Sequence, residues 1–546
     1  MSKAWLFAAS VLFWSSAQAD GAALVGTVSS AEEGAMEGVL VSARKAGSTI
    51  TITVVSDAQG RYAFPAAKLE PGTYALRVRA VGYELEPASV TVPGARDLAL
   101  RRTTDLAAQL SNGEWLASFP GGERQKDVLR NCVGCHTLER IARSAYDAET
   151  FLKVILPRMQ GYVNQSIPQH PQLRKAERLM EERGDQRVQV YRSTAEFLST
   201  INLGGAKEWR YPLKTLPRPT GRATRVVYTE YELPRETISP HDVVVDRDGI
   251  VWYSSFGEQN LGRLDPRTGE VKEFSIKENK PGFPTGLLGL RSDRDGNLWL
   301  GNMYQATALR FDRATQKFTA WPLPAAQNID AAQVNMVSPQ ASHVDGKVWM
   351  QNNGFAGVHR LDVASGRIET WEPFKGAPKG EPHNIYDVIP DSHNNVFFTD
   401  FRQHHIGRID AKTGEVKLYE ITGAKEVRAP RRGTMDAEDR LWFAEYRGDR
   451  IAMFDTKSGE FREWRLATPW ASPYDVVLDR NGEAWTGSMI TDQVTRLDPK
   501  SGAMVDYLLP RETNIRRVFV DNSTTPVTFW VGSNHGASIV KLEPLD

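Results

Sequence analysis

The chain has 546 residues, long enough for several separate cores, and its 67 Lys and Arg balance 67 Asp and Glu. Without net charge, bulk electrostatics draw it neither to nucleic acid nor to an anionic membrane. No apolar run approaches the roughly 20 residues that a bilayer needs, which excludes a spanning helix.

The opening "MSKAWLFAASVLFWSSAQAD" sets Lys3 before the apolar run Ala4–Trp14 and closes on Ala17–Gln18–Ala19, which has the small-residue shape of a cleavage site. Residues 1–19 therefore read as a secretory signal peptide, and the mature protein is expected in the periplasm.

Residues 20–103 alternate apolar and polar in short runs such as "GVLVSARK", "ITITVVSDAQGRYAFPA" and "GTYALRVRAVGYELEP". Asp57 and Gly60 mark one turn and Pro71–Gly72 another, predicting a small antiparallel β-sandwich. Through "VSDAQGRYAF", "EPGTYALRVRAVGY" and the opening "GTV", the segment resembles the carboxypeptidase regulatory-like domain. That resemblance implies a structural or docking module without catalytic residues of its own.

Residues 104–206 change character. The stretch "LRNCVGCHTLER" holds Cys132 and Cys135, the chain's 2 cysteines, with His136 directly after them. C-x-x-C-H is the attachment signature of c-type haem: the thiols add to the vinyl groups and the adjacent imidazole binds iron. A helical turn would present both sulfurs and the ring to one porphyrin edge. A thioredoxin-like dithiol would need a βαβ pattern around it, and zinc would need further Cys or His close by. Helices are expected at Glu123–Ser144, Ala148–Tyr162 and Thr194–Ile201. The segment resembles a small all-α cytochrome c domain carrying one covalent haem c. Met159, at the end of a helical pattern, is the expected distal iron ligand; Met180 and His170 are the alternatives, with an open position the third.

After a linker at 207–223, residues 224–546 repeat. "DVVVDRDGIVWYSS", "GLRSDRDGNLWLGN" and "TMDAEDRLWFAE" are three of seven copies, most of them followed by an echo of "GRLDPRTGEVKEFSI". A period of 40–50 residues with four strands per unit predicts a seven-bladed β-propeller. The last copy is one strand short and "RVVYTEYELP" (225–234) precedes the first, so the N-terminal strand is expected to complete the last blade. The repeat resembles the virginiamycin B lyase (streptogramin lyase) family.

Counting from the aromatic anchors Trp252, Trp299, Trp349, Phe397, Trp442, Trp485 and Trp530 locates the channel mouth. Eleven positions earlier lie His241, Leu288, Ser338, Tyr386, Arg431, Tyr474 and, after a longer turn, Arg516. Three positions later lie Ser255, Asn302, Asn352, Asp400, Glu445, Ser488 and Ser533. His241, Tyr386, Arg431, Glu445, Tyr474 and Arg516 are thus expected to share one pocket suited to a small polar or anionic ligand. The lyase resemblance implies a His base and a Glu helping to hold Mg²⁺ in one blade. Here Glu445 shares its blade with Arg431 and His241 shares its blade with Ser255, and an arginine cannot act as a base.

Three functional readings follow. In the first, a periplasmic monohaem cytochrome transfers electrons while its propeller binds a substrate or a redox partner such as a dehydrogenase. In the second, the propeller is a lyase-like or other enzyme with an accessory cytochrome. In the third, it is a docking module alone.

Overall fold

The computed structural model describes residues 21–173, 184–378, 380–421, 423 and 427–546, without the side chains of 155–160 and 184–188. The expected signal peptide, Met180 and the Met159 side chain lie outside the described residues. Among the described residues no helix is long and apolar enough to cross a membrane.

The N-terminal domain packs two sheets around Leu24, Val28, Phe64 and Tyr74. One sheet is mixed rather than antiparallel, because Ala22–Ser30 runs parallel to Leu98–Arg102. The returning last strand pairs beside the first, which a meander of hairpins would not allow. At the expected turn the Asp57 carboxylate accepts the backbone N–H groups of Gln59 and Arg61, both at 2.9 Å.

Helices occupy the next segment: α1 (Asn112–Ser118), α2 (Glu123–Asp127), α3 (Leu129–Cys132), α4 (Glu139–Ala142), α5 (Ala148–Gly161) and α6 (Gly184–Ile201). The expected single helix over Glu123–Ser144 is thus three short pieces. The chain bends where Asn112 Oδ1 takes the Leu138 N–H at 2.7 Å, satisfying a helix-start donor from outside. Trp115, Leu129, Val133, Leu138, Phe151 and Phe197 form the shared interior. The expected linker is an ordered strap, with Trp209 edge-on to Trp115 at 5.1 Å between ring centroids.

Six four-stranded antiparallel sheets follow, starting at Pro240, Leu290, Val337, Ile385, Pro430 and Val477, and form blades 1–6. The aspartate that opens the repeated turn, Asp-x-Asp-Gly in blades 1 and 2 and variants of it elsewhere, has a specific job. In blade 1, Asp246 Oδ1 accepts the N–H groups of Asp248 and Ile250, while Oδ2 accepts the Trp252 indole N–H at 2.8 Å. The same Asp–Trp bond recurs at Asp293–Trp299, Asp436–Trp442 and Asp479–Trp485, at 2.9–3.0 Å. Each aspartate therefore fixes the turn and pins the anchor indole at once.

Blade 7 consists of Ile515–Asp521, Thr528–Ser533, Ser538–Pro544 and the early strand Val226–Glu232. The expected ring closure is present. The closing strand also pairs on its far edge with Ile50–Val55, so blade 7 and one sandwich sheet form a single eight-stranded sheet.

Candidate functional site

The innermost strands carry the site, and β-bulges aim it. Pairing with the second strand breaks between Pro240 and Val243, Ile385 and Val388, Pro430 and Gly433, and Ile515 and Val518. Within these gaps lie His241–Asp242, Tyr386–Asp387, Arg431–Arg432 and Arg516–Arg517. In a regular strand consecutive side chains face opposite ways; a bulge re-aims them. The first of each pair reaches the mouth and the second reaches deeper into the channel.

The deeper residues neutralise one another across blades. Arg432 holds Asp242 in a two-pronged pair at 2.6 and 2.8 Å, Arg291 holds Asp387 at 2.8 Å through both oxygens, and Arg517 reaches Asp242 at 3.2 Å. Burial alone would raise the Asp242 carboxyl, but Arg432, the His241 hydrogen bond and Arg517 hold it well below the usual range. Asp475 is less well compensated: burial pushes it up to about 7 against Arg517 and Arg432.

The mouth residues form a directional chain. His241 Nδ1 lies 2.9 Å from Asp242 Oδ1, and a carboxylate can only accept, so this nitrogen carries the proton. Nε2 then accepts the Tyr474 hydroxyl at 2.9 Å, Tyr474 accepts Tyr386 at 2.6 Å, and Tyr386 accepts Arg431 Nη2 at 3.0 Å. Arg431 and Arg516 flank Met489 Sδ at 3.0 and 3.9 Å. Burial pushes the His241 imidazole down to about 3, so it is neutral, and raises the Tyr474 phenol well above its usual range. Five of the six expected pocket residues therefore converge.

Glu445 does not join them. It stands opposite Pro430 on the second strand, one strand farther from the axis than Arg431. Its side chain is fully buried, with Arg428 Nε 3.5 Å from Oε2 and, among the described residues, no hydrogen-bond partner within bonding distance of either oxygen. Burial first, and then neighbouring Glu463, push it up to about 9. Folded Glu445 thus keeps a proton that the unfolded chain gives up. Stability should fall as pH rises from about 4.5 towards 9, at about 1.4 kcal/mol per pH unit for one proton. Glu445→Gln should remove that slope, so urea midpoints of the two proteins should diverge between pH 5 and pH 8.5, in the variant's favour. Parallel curves would refute the assignment.

The C-x-x-C-H turn sits on this mouth. Cys135 and His136 donate backbone N–H groups to Cys132 O at 3.2 and 3.4 Å, which places all three residues on one helical turn. The thiols are not joined in a disulfide; burial raises both, Cys132 up to about 12, while Arg516 opposes the rise at Cys135. His136 Nδ1 lies 2.8 Å from Thr137 O, and a carbonyl can only accept, so Nδ1 donates a proton to it. From the propeller, Asn514 donates to Val133 O at 3.0 Å, Arg516 Nη2 to Gly134 O at 3.0 Å, and His535 Nε2 lies 3.3 Å from Gly134 O. Arg130 of α3 reaches Tyr446 O, Asp449 and Ser472 in the rim. The expected funnel pocket is therefore a covered one. Met489, Asn514 and His535 have no shared register with the anchors; His535 was visible only as a histidine at a strand end. His170, one of the alternatives for the iron, lines a groove of about 510 Å³ with Arg235, Glu258 and Thr285 instead.

Residues 218–430 match the Virginiamycin B lyase family, and residues 23–105 match the carboxypeptidase regulatory-like domain. The propeller is virginiamycin B lyase-like. A solved streptogramin B lyase matches 59% of this chain and 99% of its own, at 22% identity and a TM-score of 0.50. A virginiamycin B lyase from Staphylococcus aureus matches 58% of this chain and 99% of its own, at 21% identity and a TM-score of 0.49. Identity at this level speaks to the fold alone. A comparison with curated proteins finds no match.

Proposed function

We propose that this chain is a c-type cytochrome whose haem-bearing turn is seated on the mouth of a virginiamycin B lyase-like propeller, and that it serves electron transfer with a periplasmic redox partner. One observation carries the reading: two unbridged thiols and an imidazole share one turn, with Cys132 packed against an apolar interior. Cys132 and Cys135 would hold the porphyrin through thioethers, and His136 would be the proximal ligand. The Nδ1 bond to Thr137 O supports that role, because it fixes the tautomer and ring orientation that metal-binding imidazoles use. Met159 remains the proposed distal ligand. When bound, haem supplies a reversible one-electron couple. The protein's part is to hold the turn still: Asn514, Arg516 and His535 grip its carbonyls, and Arg130 anchors α3 to the rim.

Full-length protein made in a host that matures c-type cytochromes should give a haem-stained band on a denaturing gel. The Cys132→Ser/Cys135→Ser variant should give none. A wild-type band that fails to stain, with both thiols titratable, overturns the proposal.

A second reading rests on the family match over residues 218–430 and on a neutral, carboxylate-oriented His241. It makes the propeller a lyase that removes a proton and breaks a C–O bond. Against it, Glu445 faces Arg428 rather than His241. Incubating the protein with a streptogramin B and Mg²⁺ discriminates the two. Ring opening that disappears in His241→Ala supports the lyase; an unchanged substrate rejects it and leaves the cytochrome to the haem-staining test.

A further inference from the structure

Five arginines line the channel, four of them buried and Arg517 partly exposed, and they fall into two groups. Arg291, Arg432 and Arg517 each reach a carboxylate within 4.0 Å. Arg431 and Arg516 reach none among the described residues, though their exposures are only 7% and 4%. Their nearest polar partners are Met489 Sδ, the Tyr386 hydroxyl, Gly134 O and, at 3.5 Å, Asn534. Both Nε atoms are buried without a hydrogen-bond partner.

Aromatic faces offset part of the cost. The Arg431 guanidinium lies 3.9 Å from the centroid of Tyr474 and within 4.8 Å of those of Tyr386, Phe401 and Tyr446. Ring quadrupoles attract a cation but do not neutralise it. Two positive charges thus share one sulfur-centred pocket directly under the C-x-x-C-H turn, and buried charges are ordinarily paired.

We propose that Arg431 and Arg516 form a carboxylate-binding pair at the junction of the turn and the propeller mouth. A planar carboxylate matches the guanidinium fork, and each charge-assisted bond is shorter and stronger than a neutral one. The carboxylate has two possible sources, a propionate of the attached porphyrin or a free organic acid. The first source rests on the cytochrome reading; the second does not.

The test uses the full-length protein with whatever haem it carries, in wild-type form and as Arg431→Gln, Arg516→Gln and Arg516→Lys. Each is followed by redox titration and by calorimetric titration with benzoate. If a propionate fills the pair, wild type should not bind benzoate. Both Gln variants should then lower the midpoint potential, since a cation that disfavours the oxidised state is gone, and Arg516→Lys should restore most of it. A tenfold change in the oxidised-to-reduced ratio would read as about 59 mV. If a free acid fills the pair, wild type should bind benzoate saturably and each Gln variant should bind at least tenfold more weakly. That second arm holds even in a protein without haem, which separates failure of the cytochrome reading from failure of this one. Absence of benzoate binding together with unmoved potentials, or with no haem to titrate, overturns the pair. Arg516→Lys retains the charge should a Gln variant not fold.

Discussion

Arg432→Ala should destabilise the protein by about 3–5 kcal/mol, the range for removing one partner of a buried ion pair. The Arg432 side chain is 1% exposed and the Asp242 side chain 0%, so no water replaces the lost guanidinium. Asp242 would keep Arg517 at 3.2 Å, the Leu290 backbone N–H at 3.0 Å and the His241 ring, of which Arg517 alone is a fixed charge. The effect should depend on pH in a definite direction. Arg432 helps to hold the folded Asp242 carboxyl below its unfolded value, so its contribution is present above the unfolded value and lost as pH falls through the folded one. The gap between wild type and variant in urea midpoint should therefore be widest near neutral pH and narrow in acid. Arg447→Ala is the control: its pair with Asp127 is exposed, and such pairs contribute about 0–1 kcal/mol. Equal losses in the two variants would show that the inner charges are solvated.

The propeller was legible because its turn chemistry repeats. In four blades an aspartate six residues before the anchor Trp announces a hairpin and binds the indole, and counting from the anchors gave the mouth. The count found the first residue of each bulged pair but not the second. Asp242, Asp387, Arg432 and Arg517 follow immediately in sequence, and strand alternation would turn them away from the channel. Only the bulges bring both to the axis, and bulges leave no mark in apolar alternation. Glu445 was misplaced for a related reason: counting along the chain gives height in the blade but not distance from the axis. The seating of the C-x-x-C-H turn rests on backbone carbonyls of Val133 and Gly134, and carbonyls carry no sequence signal. The helical break before Glu139 was equally hidden, because it depends on the Asn112 side chain arriving from α1.

The closing strand shows how far pairing escapes the sequence, and it carries the second large expected effect. Val226–Glu232 reads as an ordinary alternating edge strand, and its count against the repeats correctly assigned it to blade 7. Nothing in its pattern shows that its other edge is taken. Thr229 is opposite Lys541 on one side and Ile52 on the other, and it is 5% exposed. Thr229→Pro should therefore act on two domains at once. Proline removes the one N–H that Thr229 gives to one of its two ladders, its ring crowds the strand, and it is found in sheets essentially only at edges and bulges. The carbonyl left without its donor costs about 1–3 kcal/mol, and the pyrrolidine ring adds to this by forcing the paired strands apart. Thr229→Val keeps the N–H and should retain most of the stability. Amide exchange gives the decisive reading. In the proline variant, protection should drop in both Ser538–Pro544 and Ile50–Val55, because one strand staples the ring and joins it to the sandwich. If exchange quickens on the propeller side alone, the sandwich is held to the propeller by its other contacts, among them Arg79 with Asp492 and Arg44 with Glu232, and not by the shared sheet.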